Sequence, residues 1–131
     1  SLKELQAELH KLVPAEHRNF LAAMEDIMIA GDYVFVHAGI DPKRSIEDQK
    51  SSDMRWIRDR FLKHREPLSH VVVHGHTIFE DVEHTDYRIG IDTGAFRTGN
   101  LTALVLENDE RRLIRALETD GTITTESLAF G

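Results

Sequence analysis

The apolar positions change their period along the chain, and each change predicts an element. Leu2, Leu5, Leu9 and Leu12 recur at 3-4-3 intervals, one face of a helix. Ser1 and Glu4 stand ahead of that stripe at capping-box spacing. Pro14 suits the first position of a second helix, with Phe20, Leu21 and Met24 expected on its buried face. Ile27 and Ile29 then alternate with adaptable neighbours. Gly31-Asp32 makes a two-residue hairpin turn, and Tyr33 to Val36 reads as the returning strand. A loop precedes a helix over roughly Asp53–Lys63, whose expected core face is Trp56, Ile57 and Phe61. Val71-Val72-Val73 is a short β-branched run, the pattern of a buried strand. Arg88 to Ile91 is another. Leu101–Glu107 and Arg111–Leu117 predict a hairpin around Asn108-Asp109, and a last weak strand covers Thr122–Thr125. The expected class is α/β with a mixed sheet.

Three of these strands run into short polar loops that contain glycine: His37-Ala38-Gly39, His74-Gly75-His76-Thr77 and Asp92-Thr93-Gly94-Ala95. In open α/β sheets ligands gather beyond the carboxyl ends of strands, so chemistry is expected there. His37 and His76 are candidate metal ligands, since neutral imidazole is the commonest ligating side chain. A purely structural role, with each ring bonded to nearby carbonyls, is the competing reading. His74 is a third candidate. Only one of His74 and His76 is expected to face the site, and His76 is favoured because it lies beyond Gly75 in the loop proper. The other histidines (His10, His17, His64, His70 and His84) are expected on the surface.

Charge and composition narrow the function. The chain of 131 residues is 40% apolar and 30% charged, with a net charge of −7, which fits one folded domain. An acidic balance argues against general nucleic-acid binding. No apolar run approaches a membrane span. Cysteine is absent, which excludes disulfides and thiolate chemistry and accords with a cytoplasmic location. Residues 41–66 nevertheless carry 8 basic against 6 acidic residues. Within them Arg58 is a candidate for gripping phosphate oxygens, as a guanidinium fork suits them. A solvated helix with internal ion pairs is the alternative. Asp92-Thr93-Gly94 is also the tripeptide of aspartic proteases, although a strand-to-turn role accounts for it better.

Five segments in order carry a resemblance: Tyr33-Val34-Phe35-Val36-His37-Ala38-Gly39-Ile40, Trp56-Ile57-Arg58-Asp59-Arg60-Phe61, Val72-Val73-His74-Gly75-His76-Thr77, Ile91-Asp92-Thr93-Gly94-Ala95 and Leu101-Thr102-Ala103-Leu104-Val105. From about Pro14 to Glu107 the chain resembles the C-terminal half of bacterial phosphoprotein-phosphatase-type serine/threonine phosphatases, which are calcineurin-like metallophosphoesterases. The resemblance implies a β-sandwich of mixed sheets with flanking helices. It implies two divalent cations, Mn²⁺ foremost with Fe or Zn as alternatives, of which His37 and His76 would bind one. Arg58 would hold the substrate phosphate. Ile78 stands where many metallophosphoesterases have a further His, which points to the phosphatase branch or its dinucleoside-tetraphosphatase relatives.

The family's earlier motifs, Gly-Asp-x-His, Gly-Asp-x-x-Asp-Arg-Gly and Gly-Asn-His-Glu, do not occur in this chain. With Ser1 in place of an initiator Met, residues 1–131 are expected to be the second half of a catalytic domain, incomplete alone. The expected substrate is a phosphorylated protein, with dinucleoside polyphosphate as the alternative. Neither nucleic acid nor membrane is an expected partner. The chain is expected to pair with a missing N-terminal half or with a second copy.

Overall fold

The period-two segments pair into two sheets. A computed structural model describes residues 1–130, in the order α1 (Leu2–Leu12), α2 (Ala15–Ala22), β1 (Ile27–Ala30), β2 (Tyr33–Val36), a 3-10 turn (Ile46–Asp48), α3 (Ser51–Trp56), α4 (Asp59–Leu62), β3 (Val71–His74), β4 (Glu83–Thr85), β5 (Arg88–Gly90), α5 (Ala95–Thr98), β6 (Asn100–Glu107), β7 (Glu110–Thr119) and β8 (Thr122–Ala129). The first sheet is mixed, ordered β1-β2-β3-β5-β4, with β2, β3 and β5 parallel and β1 and β4 antiparallel at its margins. The second is an antiparallel meander, β6-β7-β8. The fold is therefore mixed α/β, as the pattern predicts. Among the described residues no helix is long and apolar enough to cross a membrane.

The turns follow from residues that tolerate positive φ. Ala30 pairs with Tyr33, which leaves Gly31-Asp32 as the hairpin turn, with Gly31 at φ 57°. Asp120-Gly121 joins β7 to β8 with both residues at positive φ, the mirror-image turn that suits strand twist. That turn carries β8 on to Ala129, well past the short strand expected.

Register assigns the faces of the first sheet. Val34, Val72 and Arg88 align on one face. There Val34 and Val72 pack with Ala38, Ile40, Ile46, Ile57 and Phe61 into the core. Phe61 is 1% exposed and lies over Gly39. Gly39 sits at φ 144°, and a Cβ there would stand 2.3 Å from a Phe61 ring carbon. The opposite face aligns Phe35, Val73 and Ile89. The second sheet reaches this side through Arg111, whose Nε donates to the Tyr33 hydroxyl at 2.8 Å and whose guanidinium lies 5.5 Å from that ring's centre.

Arg88, beside Val72 in the first sheet, is a buried charge at 4% exposure. Both its terminal nitrogens bond the Glu83 carboxylate, and Nη2 also donates to the Leu62 carbonyl at 3.2 Å. The pair thus ties β4 and the end of α4 to β5. Bonding to Arg88 holds the Glu83 carboxyl below its ordinary value of 4.5.

Several expectations fail, those for α1 and α2 because period locates an apolar face but not what covers it. The capping box at Ser1 forms, yet no residue of α1 is buried and Leu2 is 86% exposed. Phe20, Leu21 and Met24 are exposed as well, so α2 has no buried face in this chain. The helix expected over Asp53–Lys63 breaks at Ile57–Arg58 into α3 and α4, and Trp56 leaves the core face. Of the histidines expected on the surface, His64 and His70 are half-buried.

The chain exposes 9342 Å². A folded monomer of its mass exposes about 7,000 Å², so the surplus is roughly 2,300 Å².

Gly39→Ala is expected to destabilise the fold by about 3 kcal/mol, the sum of a strained φ and a crowded Phe61. An unchanged midpoint of chemical unfolding would show that Phe61 has room to move. For Glu83 the folded pKa lies below the unfolded one, so its contribution is complete above the ordinary glutamate range and is lost as pH falls through the lowered value. Glu83→Gln is expected to weaken the fold at neutral pH and to flatten the acid limb of a stability–pH curve. An acid limb as steep as the native one would count against this pair.

Candidate metal centre

His37 follows β2 directly, and His76 lies two residues beyond β3. Parallel pairing of these strands puts their carboxyl ends side by side. One further backbone bond, from the Gly75 N–H to the His37 carbonyl at 2.9 Å, continues the pairing past both ends. The loop after β3 is pinned on its other side too. Ile91 donates to the His74 carbonyl at 2.9 Å, and Phe79 donates to the Asp92 carbonyl at 3.0 Å. Ile78 packs over Gly94, where a Cβ would stand 2.8 Å from its methyl carbon. Between these anchors His76 adopts φ 65°, a left-handed conformation that costs a residue with a Cβ about 1–2 kcal/mol. Strain of this kind gathers at functional sites.

The two imidazoles converge. His37 Nε2 lies 3.2 Å from His76 Nδ1, with the ring centres 5.0 Å apart. Two imidazole nitrogens on one tetrahedral cation, each at about 2.0–2.1 Å, stand about 3.3 Å apart. The observed separation fits shared ligation, and it equally fits a hydrogen bond between one protonated and one bare nitrogen. Burial, reinforced by the Arg58 guanidinium and by His37, holds His76 below its ordinary value of 6.5 against the opposing pull of Asp92. The ring is thereby kept in the neutral form that ligation needs. Among the described residues no cluster of three or more His, Asp or Glu side chains could hold a metal ion. The donor set therefore fits part of a coordination sphere rather than a whole one.

His74 stays out of the site, on the other face. It is 2% exposed, packs edge-on against Phe61 at 5.0 Å, and its Nδ1 lies 3.1 Å from the Gly75 carbonyl. Its Nε2 has no partner, and burial lowers its pKa. Residues two apart in an unbroken strand would share a face, so the two rings part because β3 ends at His74 and the backbone turns at His76 with φ 65°.

Arg58 reaches the same rim from the break between α3 and α4. Its Nη1 donates to the Thr77 hydroxyl at 3.2 Å, beside His76. Four of its basic neighbours are neutralised, Arg44 by Asp48, Arg55 by Asp26, Arg60 by Asp53 and Lys63 by Asp59, each at 2.6 Å, while Arg65 bonds only backbone carbonyls. Among the described residues Arg58 has no such carboxylate partner. The ion-paired helix expected as the alternative therefore accounts for those four neighbours and not for Arg58. An unpaired guanidinium facing an imidazole pair makes a positive, anion-seeking corner.

Asp92 serves a turn, its Oδ1 accepting from the Gly94 N–H at 3.0 Å. Thr93 donates to the Asn100 carbonyl at 2.6 Å, which fixes the entry to β6. The Asp-Thr-Gly tripeptide thus has the strand-to-turn role.

Trp56 is the residue that sequence reasoning misplaced. It is 73% exposed, and its ring packs edge-on against His76 at 5.6 Å and 88°. Counted with Ile57 and Phe61 it looked like core. Its single usable signal was its place two residues before Arg58. The histidine pair and Trp56 border a groove of about 950 Å³ lined by apolar residues that include Met24, Phe35, Val73 and Leu101.

No protein family, curated protein or solved structure matches the chain.

Arg58→Leu is expected to raise the His76 pKa and Asp92→Asn to lower it further, since the first removes a repelling charge and the second an attracting one. Side-chain NMR titration in the presence of a chelator reads both shifts. Movement of either in the opposite sense would contradict the charge arrangement described.

Proposed function

We propose that this chain contributes one half of a metal-dependent phosphomonoesterase centre, within a metallophosphoesterase sandwich, acting on phosphorylated serine or threonine in proteins. The observation that carries the reading is the convergence of His37 and His76 at 3.2 Å with Arg58, unpaired, on the same rim. His37 and His76 hold one divalent cation through their facing nitrogens. The other ligands, and the second cation with them, are supplied from outside the described residues. Divalent cations in such a centre lower the pKa of a bound water and so supply hydroxide at neutral pH. Arg58 grips non-bridging phosphate oxygens and offsets the charge that builds on them in the transition state. Thr77 orients Arg58 through its hydroxyl. The strain at His76 and the bond from Gly75 to His37 keep the imidazoles in place before ligand arrives, so little ordering remains for binding to do.

On this reading the chain alone binds cation and phosphate but turns over no phosphoester. Trp56 is the only tryptophan and lies beside His76, so its fluorescence reports on the site. Co²⁺ is expected to quench it saturably. His37→Ala and His76→Ala should each weaken the apparent affinity at least tenfold, as loss of one of two donors requires. Arg58→Ala should leave Co²⁺ binding intact and weaken inorganic phosphate by about tenfold or more, the worth of a charge-assisted bond. Quenching unchanged in both histidine variants would defeat the proposal. So would metal-independent turnover of p-nitrophenyl phosphate.

A second reading rests on the surplus surface of roughly 2,300 Å². That exceeds the ~800 Å² each partner buries in an ordinary interface, and the exposed side chains of α1 and α2 include Leu2, Leu5, Leu9, Leu12, Phe20 and Leu21. Here the chain is a noncatalytic module that associates with a second copy. Sedimentation is expected to give a dimer that Leu5→Glu with Leu9→Glu converts to monomer. A clean monomer of the native chain at high concentration would remove this reading.

A further inference from the structure

Trp56 has no role in holding the cation or the phosphate, and its placement suggests a third task. The ring touches His76 by an edge and leaves 73% of the residue exposed. It ends α3, and the break that follows at Ile57–Arg58 sets the anion-seeking guanidinium two residues away. One short segment therefore presents a flat apolar wall and a phosphate grip side by side. Ile57 between them is 7% exposed, so the segment is anchored in the core and the two groups keep their relative position. The groove that Trp56 borders is also lined by Leu21, Met24 and Leu101, all exposed apolar side chains. A phosphate gripped by Arg58 beside His76 would thus lie close to the indole, at the rim of that apolar groove.

We infer that Trp56 is a specificity-determining residue: it packs against the side chain flanking the phosphorylated residue and selects phosphopeptides in which that neighbour is aromatic. The inference rests on the phosphoesterase reading of His37, His76 and Arg58. An exposed indole loses little conformational entropy on packing, and an aromatic pair is favourable beyond its buried area. Charged or glycine neighbours gain nothing there.

The test compares two synthetic phosphoserine heptapeptides, glycine throughout except that one has phenylalanine on both sides of the phosphoserine. Binding to the full chain in excess Mn²⁺ is measured by calorimetry, with inorganic phosphate as competitor. The phenylalanine peptide is expected to bind about fivefold tighter. Trp56→Ala should erase that ratio while inorganic phosphate binds as before, and Trp56→Phe should restore most of it. Equal affinity of the native chain for both peptides overturns the inference and leaves the phosphoesterase reading standing, provided inorganic phosphate still competes. A Trp56→Ala variant that weakens both peptides and inorganic phosphate alike makes Trp56 a support for His76, and also overturns it. Equally tight binding of the unphosphorylated phenylalanine peptide reduces Trp56 to a general apolar contact, a third defeat. If no phosphate ligand binds at all, the phosphoesterase reading fails and this one with it.

Discussion

The parallel pairing of β2 with β3 does not stop at the strand ends. It continues through one backbone bond, from the Gly75 N–H to the His37 carbonyl at 2.9 Å, and the geometry of the candidate centre descends from that bond. Parallel strands deliver their carboxyl ends to one edge of a sheet, which antiparallel neighbours cannot do. Residues 39 positions apart in sequence thereby bring two ring nitrogens to 3.2 Å. Closing so long a connection is entropically unfavourable. The buried aliphatic contact of Val34 and Val72 with Phe61 and Ile57 offsets it.

Around this pairing the chain tolerates conformations that only a pinned backbone permits. His76 keeps a left-handed φ because Gly75, Ile91 and Phe79 fix the backbone on either side of it. Gly39 lets the loop after His37 press against Phe61, and Gly94 does the same under Ile78. Both glycines stand where a side chain would clash and where φ is positive, so they set how closely the loops approach the site. The imidazoles are held by packing and strain from behind, and their ligating edges stay open.

Electrostatics separates the arginines of one basic segment. Asp26, Asp48, Asp53 and Asp59 neutralise four cationic side chains around α3 and α4, Arg65 turns to backbone carbonyls, and Arg58 reaches the Thr77 hydroxyl. What distinguishes it is the break in the helix. A continuous helix would have set Arg58 in register with Asp59 and its neighbours on a solvated face. The break turns it toward Thr77 and His76 and brings Trp56 to the same edge. A local interruption of regular structure thus accounts for both the positive corner and the apolar wall beside it.

The element types were legible from the residues alone wherever local rules decide. Alternation at Ile27 and Ile29 located β1, short apolar and β-branched runs located β2, β3, β5 and the β6–β7 hairpin, and Gly31 marked the first turn. The strand-end glycines, and the place of His76 beyond Gly75, pointed to the imidazoles that meet, whereas strand alternation alone would set His74 and His76 on one face. The fate of Leu2, Leu5, Phe20 and Trp56 was not legible, because periodicity reports that a face is apolar and carries no record of its partner. Nor was the α3–α4 break at Ile57–Arg58, since Ile57 and Phe61, four residues apart, fit one face of a continuous helix as well. By itself, then, the sequence determined elements, turns and the residues fit for ligation. Tertiary structure alone decided which apolar faces found cover, which arginine lost its carboxylate, and that the tryptophan stands at the site, because each depends on contacts between segments distant along the chain.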